Sequence, residues 1–110
     1  MPACSTHDVV LVRYPFSDAS SAKVRPAVVV SAPHPSRDLF VVPLTSRTSG
    51  LLAGEFTLTD WASAGLNVPS AVKRGLFTIE EQLIIKRIGS LAAGDRGQLG
   101  RSLRAWLGLG

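Results

Sequence analysis

The run Arg25-Pro-Ala-Val-Val-Val-Ser31 is β-branched and apolar at consecutive positions, which leaves it no polar face to turn toward water. At this length it reads as a central strand covered on both sides, so the chain must place further structure above and below it. Pro26 is expected only at the strand's beginning, because a proline nitrogen has no hydrogen for a ladder. Two flanking runs supply neighbours. Asp8 to Tyr14 reads as a strand ended by Pro15-Phe16, and the polar stretch from Ser17 to Val24 joins it to the central run. Ala32 to Asp38, with two prolines, is a loop. Leu39 to Leu44 is a third strand, and Pro43 implies a sheet edge or a bulge near its end.

The second half is punctuated more often. Thr45 to Gly54 is small and polar, and Glu55 to Thr59 alternates with Phe56 and Leu58 facing inward. Asp60 is placed to cap one helical turn, Trp61 to Ala64, which Gly65 stops. Pro69 to Ile79 reads as extended with a bend at Gly75, and Leu83 to Leu91 as the last strand. A terminal helix opens near Asp95 and sets Leu99, Leu103, Trp106 and Leu107 on one face. Arg101 and Arg104 fall opposite, where they also suit the helix dipole. Five to seven short strands followed by one helix define an α+β fold with a small curled or barrel-like sheet. Residues 1–110 are read as one domain.

The chain has 110 residues, 45% of them hydrophobic, enough for one core without a metal or disulfide staple. The single cysteine, Cys4, falls in a polar N-terminal stretch and fits a reducing compartment. Met1 to Asp8 carries no apolar signal segment, and no run approaches the length of a membrane span, so a soluble cytoplasmic protein is expected. Twelve Lys and Arg against eight Asp and Glu give a formal charge of +4, and nine of the twelve are Arg. The planar guanidinium fork matches phosphate oxygens, which mildly favours a polyanionic partner.

No ligand spacing links the two His, the one Cys and the scattered carboxylates, so no metal site or cofactor is expected. Phosphate-binding glycine loops, nucleophile elbows and dinucleotide fingerprints are missing too. His7 and His34 read as solvated loop residues. Arg25 is an exposed strand-start arginine, or one paired with Asp8 or Asp18, or else a cation held at the rim of a cleft. Thr45-Ser46, ending an apolar run, either bonds local backbone in a turn or faces the same cleft. Lys73 and Arg74 belong to a solvated face or contact backbone phosphates.

Taken together, these segments resemble one family. Asp8-Val-Val-Leu-Val, Tyr14-Pro-Phe-Ser-Asp18 and Lys23-Val-Arg-Pro-Ala-Val-Val-Val-Ser31 are similar to the N-terminal signature of the MazF/PemK toxins. Pro43-Leu-Thr-Ser46 is similar to its second motif. Gly65-Leu66, Pro69-Ser70, Thr78-Ile79 and Ile88-Gly-Ser-Leu91 follow its C-terminal half, so the resemblance spans roughly residues 7 to 107. It implies an SH3-like barrel with an additional small sheet and a C-terminal helix, dimeric, acting as a metal-independent endoribonuclease on single-stranded RNA. An antitoxin with an acidic C-terminal segment is the implied protein partner.

Carried over by motif, Arg25 and Thr45 are the catalytic pair. Ser17, Asp18, Ser20, Lys23, Ser46, Lys73 and Arg74 are the expected RNA-binding residues, the first four on a loop matching the one that frames substrate. Two positions depart from the family pattern. Arg74-Gly-Leu-Phe77 stands, one residue shorter, where many members carry an acidic residue and Gln, and Arg13 stands where many are acidic. The rival expectations are a non-enzymatic CcdB-like gyrase binder and a plain SH3-like nucleic-acid-binding module.

Overall fold

The computed structural model describes residues 4–14 and 23–110. Seven strands and one helix follow in order: β1 (Asp8–Tyr14), β2 (Lys23–Val29), β3 (Asp38–Thr45), β4 (Phe56–Thr57), β5 (Ala71–Val72), β6 (Phe77–Glu80), β7 (Ile84–Ser90) and α1 (Ala93–Leu107). A short 3₁₀ turn, Glu81–Leu83, joins β6 to β7. All ladders are antiparallel, in the order β4-β5-β3-β2-β1-β7, with β6 also paired to β3. The architecture is therefore α+β, as the sequence pattern predicts.

The central run is covered on both faces. With a side-chain period of two, Val10, Val12, Ala27, Val29 and Val41 point to one side, where Leu39, Ile79 and Ile84 meet them. Val9, Val28, Val42 and Leu44 point to the other and pack against Leu58, Val72, Leu91 and the helix residue Leu99. Burying a side chain of this size contributes about 1.5–3 kcal/mol, so β1 to β3 anchor two cores at once. Cys4 corrects the sequence reading: it is buried in the first core rather than lying in a polar tail.

The sheet bends strongly. In the run β7-β1-β2-β3-β6 the two outer strands are consecutive in the chain, so the 3₁₀ turn ties its opposite edges together. Register shifts against β1, at Val9/Val10 and at Leu11/Val12, insert extra β7 residues and sharpen the curl. No ladder among the described residues connects β6 to β7, so the sheet remains open there.

Several boundaries move. β2 begins at Lys23, which puts Pro26 inside the strand instead of at its head. The extended segment from Pro69 divides into β5 and β6 around residues 73–76. Residues 61–65 form a turn rather than a helix, although the expected cap is made: Ser63 donates from its backbone N–H and its hydroxyl to Asp60, at 3.1 and 2.7 Å. Gly65 ends the turn at φ +83°, and a Cβ there would meet the Ile88 carbonyl oxygen at 1.9 Å. Gly89 is equally crowded, by the Ala64 backbone at 2.5 Å. The turn thus lies directly on β7, and neither contact leaves room for a side chain.

The helix starts at Ala93, two residues before the expected opening, and Asp95 has a different task. Its buried carboxylate accepts the Thr59 N–H and hydroxyl, both at 3.0 Å, and the Asp60 N–H at 3.2 Å. The buried stripe is Asp95, Leu99 and Ser102, continued by Trp106, whose indole N–H donates to the Ala53 carbonyl at 3.0 Å. Leu107, placed on that face by the sequence pattern, is half exposed.

Candidate functional site

Two prolines open a cleft between β2 and β3. Val30 N–H donates to the Phe40 carbonyl at 2.9 Å, so even-numbered residues of β3 direct their backbone groups at β2. The ladder continues through Val28–Val42 to Ala27–Pro43 and there it stops. Its next hydrogen-bonded pair would be Pro26 with Leu44, and Pro26 has no N–H to donate. Pro43 is accommodated differently. Its backbone faces the opposite edge, where the Lys73 N–H donates to its carbonyl at 3.0 Å. It lies between the end of the β6 ladder at Val41 and the start of the β5 ladder at Leu44.

Extended by two residues past its last pair, this register sets Arg25 opposite Thr45. Directly opposed residues share a face, and both residues line one cleft of about 750 Å³. Thr45 is the last residue of β3, half-buried, and its Oγ1 accepts the Arg47 N–H at 3.1 Å. With a lone pair engaged in that way, its own hydrogen remains available to the cleft. Arg25 is exposed and makes no ion pair among the described residues. Asp8, its suggested partner, is held by Arg87 Nε at 3.0 Å instead.

The cleft is cationic. Arg25, Lys73 and Lys86 line it, and no Asp or Glu is among its described lining residues. Lys73 is positioned through its bond to Pro43 and through Glu55, whose carboxylate accepts the Leu52 and Arg74 N–H groups at 2.7 and 2.8 Å. Those two bonds hold the Glu55 carboxyl below its ordinary value. Tyr14 forms part of the wall, edge-on to Phe77 at 6.0 Å, and burial pushes its hydroxyl up to about 12. Asn67 and Val68, beyond the Gly65 turn, make the facing rim.

Of the residues singled out from sequence, the fold brings together Arg25, Thr45, Ser46 and Lys73. Lys23 heads β2 but does not line the cleft. Arg74 stands apart, in a separate groove with Leu76, Leu103, Trp106 and Leu107. Ser17, Asp18 and Ser20 lie outside the described residues. Sequence reasoning missed Lys86 and Asn67. The register of β7 against β1 is the only signal that could have placed Lys86, and that register is itself interrupted twice. His34 is engaged locally, with Nδ1 against the Ser36 hydroxyl at 2.8 Å, and His7 bridges the Val29 and Leu91 backbones.

A bent antiparallel sheet backed by one helix, with a cleft lined by cations where two strands splay and by no carboxylate among the described residues, defines a small α+β fold suited to an anionic ligand. Comparison gives the family. Residues 5–107 match the family of PemK-like, MazF-like toxins of type II toxin–antitoxin systems, and the chain belongs to it.

Solved structures agree. The chain is similar to the Mycobacterium tuberculosis toxin MazF-mt6 at 25% identity and a TM-score of 0.71, over 89% of this chain and 93% of that one. It shares its fold with MazF from Deinococcus radiodurans (20% identity, TM-score 0.77, 98% and 99% covered). The same holds for a mycobacterial endoribonuclease in complex with its cognate antitoxin (16%, TM-score 0.76, 98% of each chain). No curated protein sequence matches.

Proposed function

We propose that this toxin is an endoribonuclease that cleaves single-stranded RNA at the cleft between β2 and β3. What supports the reading is that Arg25 and Thr45 border one cleft, opposite each other when the β2–β3 register is extended, with Lys73 and Lys86 also lining it and no carboxylate among the described lining residues. In RNA the ribose 2′-OH lies beside its own phosphodiester, so the nucleophile is tethered and positioning matters most. The 2′ oxygen attacks phosphorus, the P–O5′ bond breaks, and the 2′ proton is lost as the 5′ oxygen gains one. The products are a 2′,3′-cyclic phosphate and a 5′-hydroxyl.

Arg25 donates two parallel hydrogen bonds to the non-bridging oxygens as charge builds on the phosphorane. Thr45 donates its hydroxyl hydrogen to a phosphate oxygen, its lone pair being taken by the Arg47 N–H. A threonine hydroxyl is too weak a base to remove the proton itself. Ser46 and Lys73 hold the strand to either side, and Ser17, Asp18 and Ser20 are assigned to its recognition. This chemistry needs no metal and no cofactor.

The same positive cleft suits the acidic C-terminal segment of an antitoxin, which inhibits by occupying the RNA path. We read the run β7-β1-β2-β3-β6, tied at its edges by the 3₁₀ turn, as an SH3-like barrel, with β4 and β5 as the additional small sheet. The working form is a homodimer in the cytoplasm.

The test is incubation of purified protein with single-stranded RNA in EDTA, followed by mapping of the termini. Discrete cuts ending in cyclic phosphate, lost in a folded Arg25→Ala variant, are expected. Intact RNA in the presence of arrested DNA supercoiling would instead assign the protein to gyrase binding.

A further inference from the structure

We infer that Lys86 is a substrate-binding residue of this cleft, holding the RNA phosphate next to the one that is cut; the inference rests on the proposed cleavage of RNA. Lys86 belongs to β7, two strands away from Arg25. Leu11 of β1 pairs with Pro26 on one side and with Lys86 on the other, so the three residues form one row across the sheet. Side chains of a row share a face, and all three line the cleft.

The row lies beside the pair that handles the scissile phosphate: Arg25 immediately precedes Pro26 and borders the same cleft where the β2–β3 ladder has ended, while Lys86 stands with Leu11 on its floor. The backbones of β2 and β7 are separated by two strand spacings, about 10 Å. A strand laid over Pro26 and Leu11 runs from the cleft mouth bordered by Arg25 and Thr45 to Lys86, so the two cations serve neighbouring phosphates. An apolar floor between two cations is a surface a ribose or base can cover.

Charge bookkeeping supports the assignment. The next residue, Arg87, is committed to Asp8 at 3.0 Å. Lys86 is exposed and has no ion pair among the described residues, so nothing there competes with an incoming phosphate. A lysine suits this position as a compact, mobile charge that attracts without fixing geometry, in contrast to the fork required of Arg25.

The experiment compares wild type, Lys86→Gln, Lys86→Arg and Arg101→Gln. Arg101 carries the same unit of charge on the exposed side of α1, away from the cleft. Binding of a random-sequence 2′-O-methyl oligoribonucleotide, which cannot be cut, is followed by fluorescence anisotropy across a salt series, and cleavage of the unmodified RNA gives kcat and KM. Lys86→Gln is expected to weaken binding by about three- to tenfold and to make the log–log salt slope shallower by about 0.7, the value for one single-strand phosphate. KM should rise while kcat holds, with Lys86→Arg restoring affinity and Arg101→Gln behaving as wild type. A fall in kcat, an unchanged salt slope, or an equal effect from Arg101→Gln would overturn the inference. Failure of the wild type itself to bind or cut RNA would sink the cleavage reading, a separate result.

Discussion

Arg25 and Thr45 are held by different means, and this sets what each substitution will do. Arg25 is exposed on a rigid strand and pairs with no described carboxylate, so Arg25→Ala should leave the unfolding midpoint nearly unchanged. Loss of a preorganised donor aimed at developing charge costs about 10²–10³ in rate, to be measured as single-turnover cleavage. Thr45→Val keeps the shape and removes the hydroxyl. We expect a slower cut with RNA affinity within about twofold, because the cations that bind the strand remain.

Tyr14 offers a direct reading of the cleft wall, since it is the only tyrosine in the chain. An absorbance titration should give one tyrosinate midpoint near 12. Its value in the unfolded chain is about 10, so the folded state favours the neutral phenol. That contribution is intact below pH 10 and is lost as pH rises from about 10 to about 12, which denaturant unfolding at both ends will show. A midpoint near 10 would mean that the wall is wet.

At the scale of elements, the helix is fastened by polar contacts as well as by its apolar stripe. Asp95 accepts three hydrogen bonds from the 59–60 turn, Ser102 donates to the Gly54 carbonyl at 2.7 Å, and Trp106 reaches Ala53. Asp95→Ala removes three hydrogen bonds made by a buried carboxyl to a partly exposed turn and should cost about 1–3 kcal/mol in chemical denaturation. Read locally, Asp95 suggests a helix start. Its actual partners are 35 and 36 residues away, which no local pattern reveals.

The glycines separate along the same line. A Cβ at Gly100 meets nothing within 4 Å, so Gly100→Ala should raise stability by about 0.5–1 kcal/mol through helix propensity. Gly89→Ala drives a methyl into the Ala64 backbone and should lower the melting temperature by several degrees. By composition both are glycines in regular elements, and only packing distinguishes them.

For the whole molecule, charge is distributed with a purpose that its total does not convey. A formal +4 is modest, yet three cations line one cleft with no carboxylate among its described residues. RNA affinity should therefore fall steeply between about 50 and 200 mM salt, and a flat response would count against a phosphate-lined path. An acidic peptide corresponding to an antitoxin tail should compete with RNA and show a similar salt dependence.

What the sequence determined alone is what neighbours along the chain can enforce. Consecutive β-branched residues demanded covered strands, the pattern after residue 95 demanded a packed helix, and Gly65 had to stop a turn. The motif order also placed Arg25 and Thr45 under suspicion before any geometry was known. That both border one cleft is a tertiary matter. It depended on the register of β2 against β3 and on Pro26 breaking that ladder one pair short of them. Lys86 joined the cleft, and Arg74 left it, for the same reason: hydrogen bonds between distant segments decide which faces coincide, and a one-residue slip would have reversed each outcome.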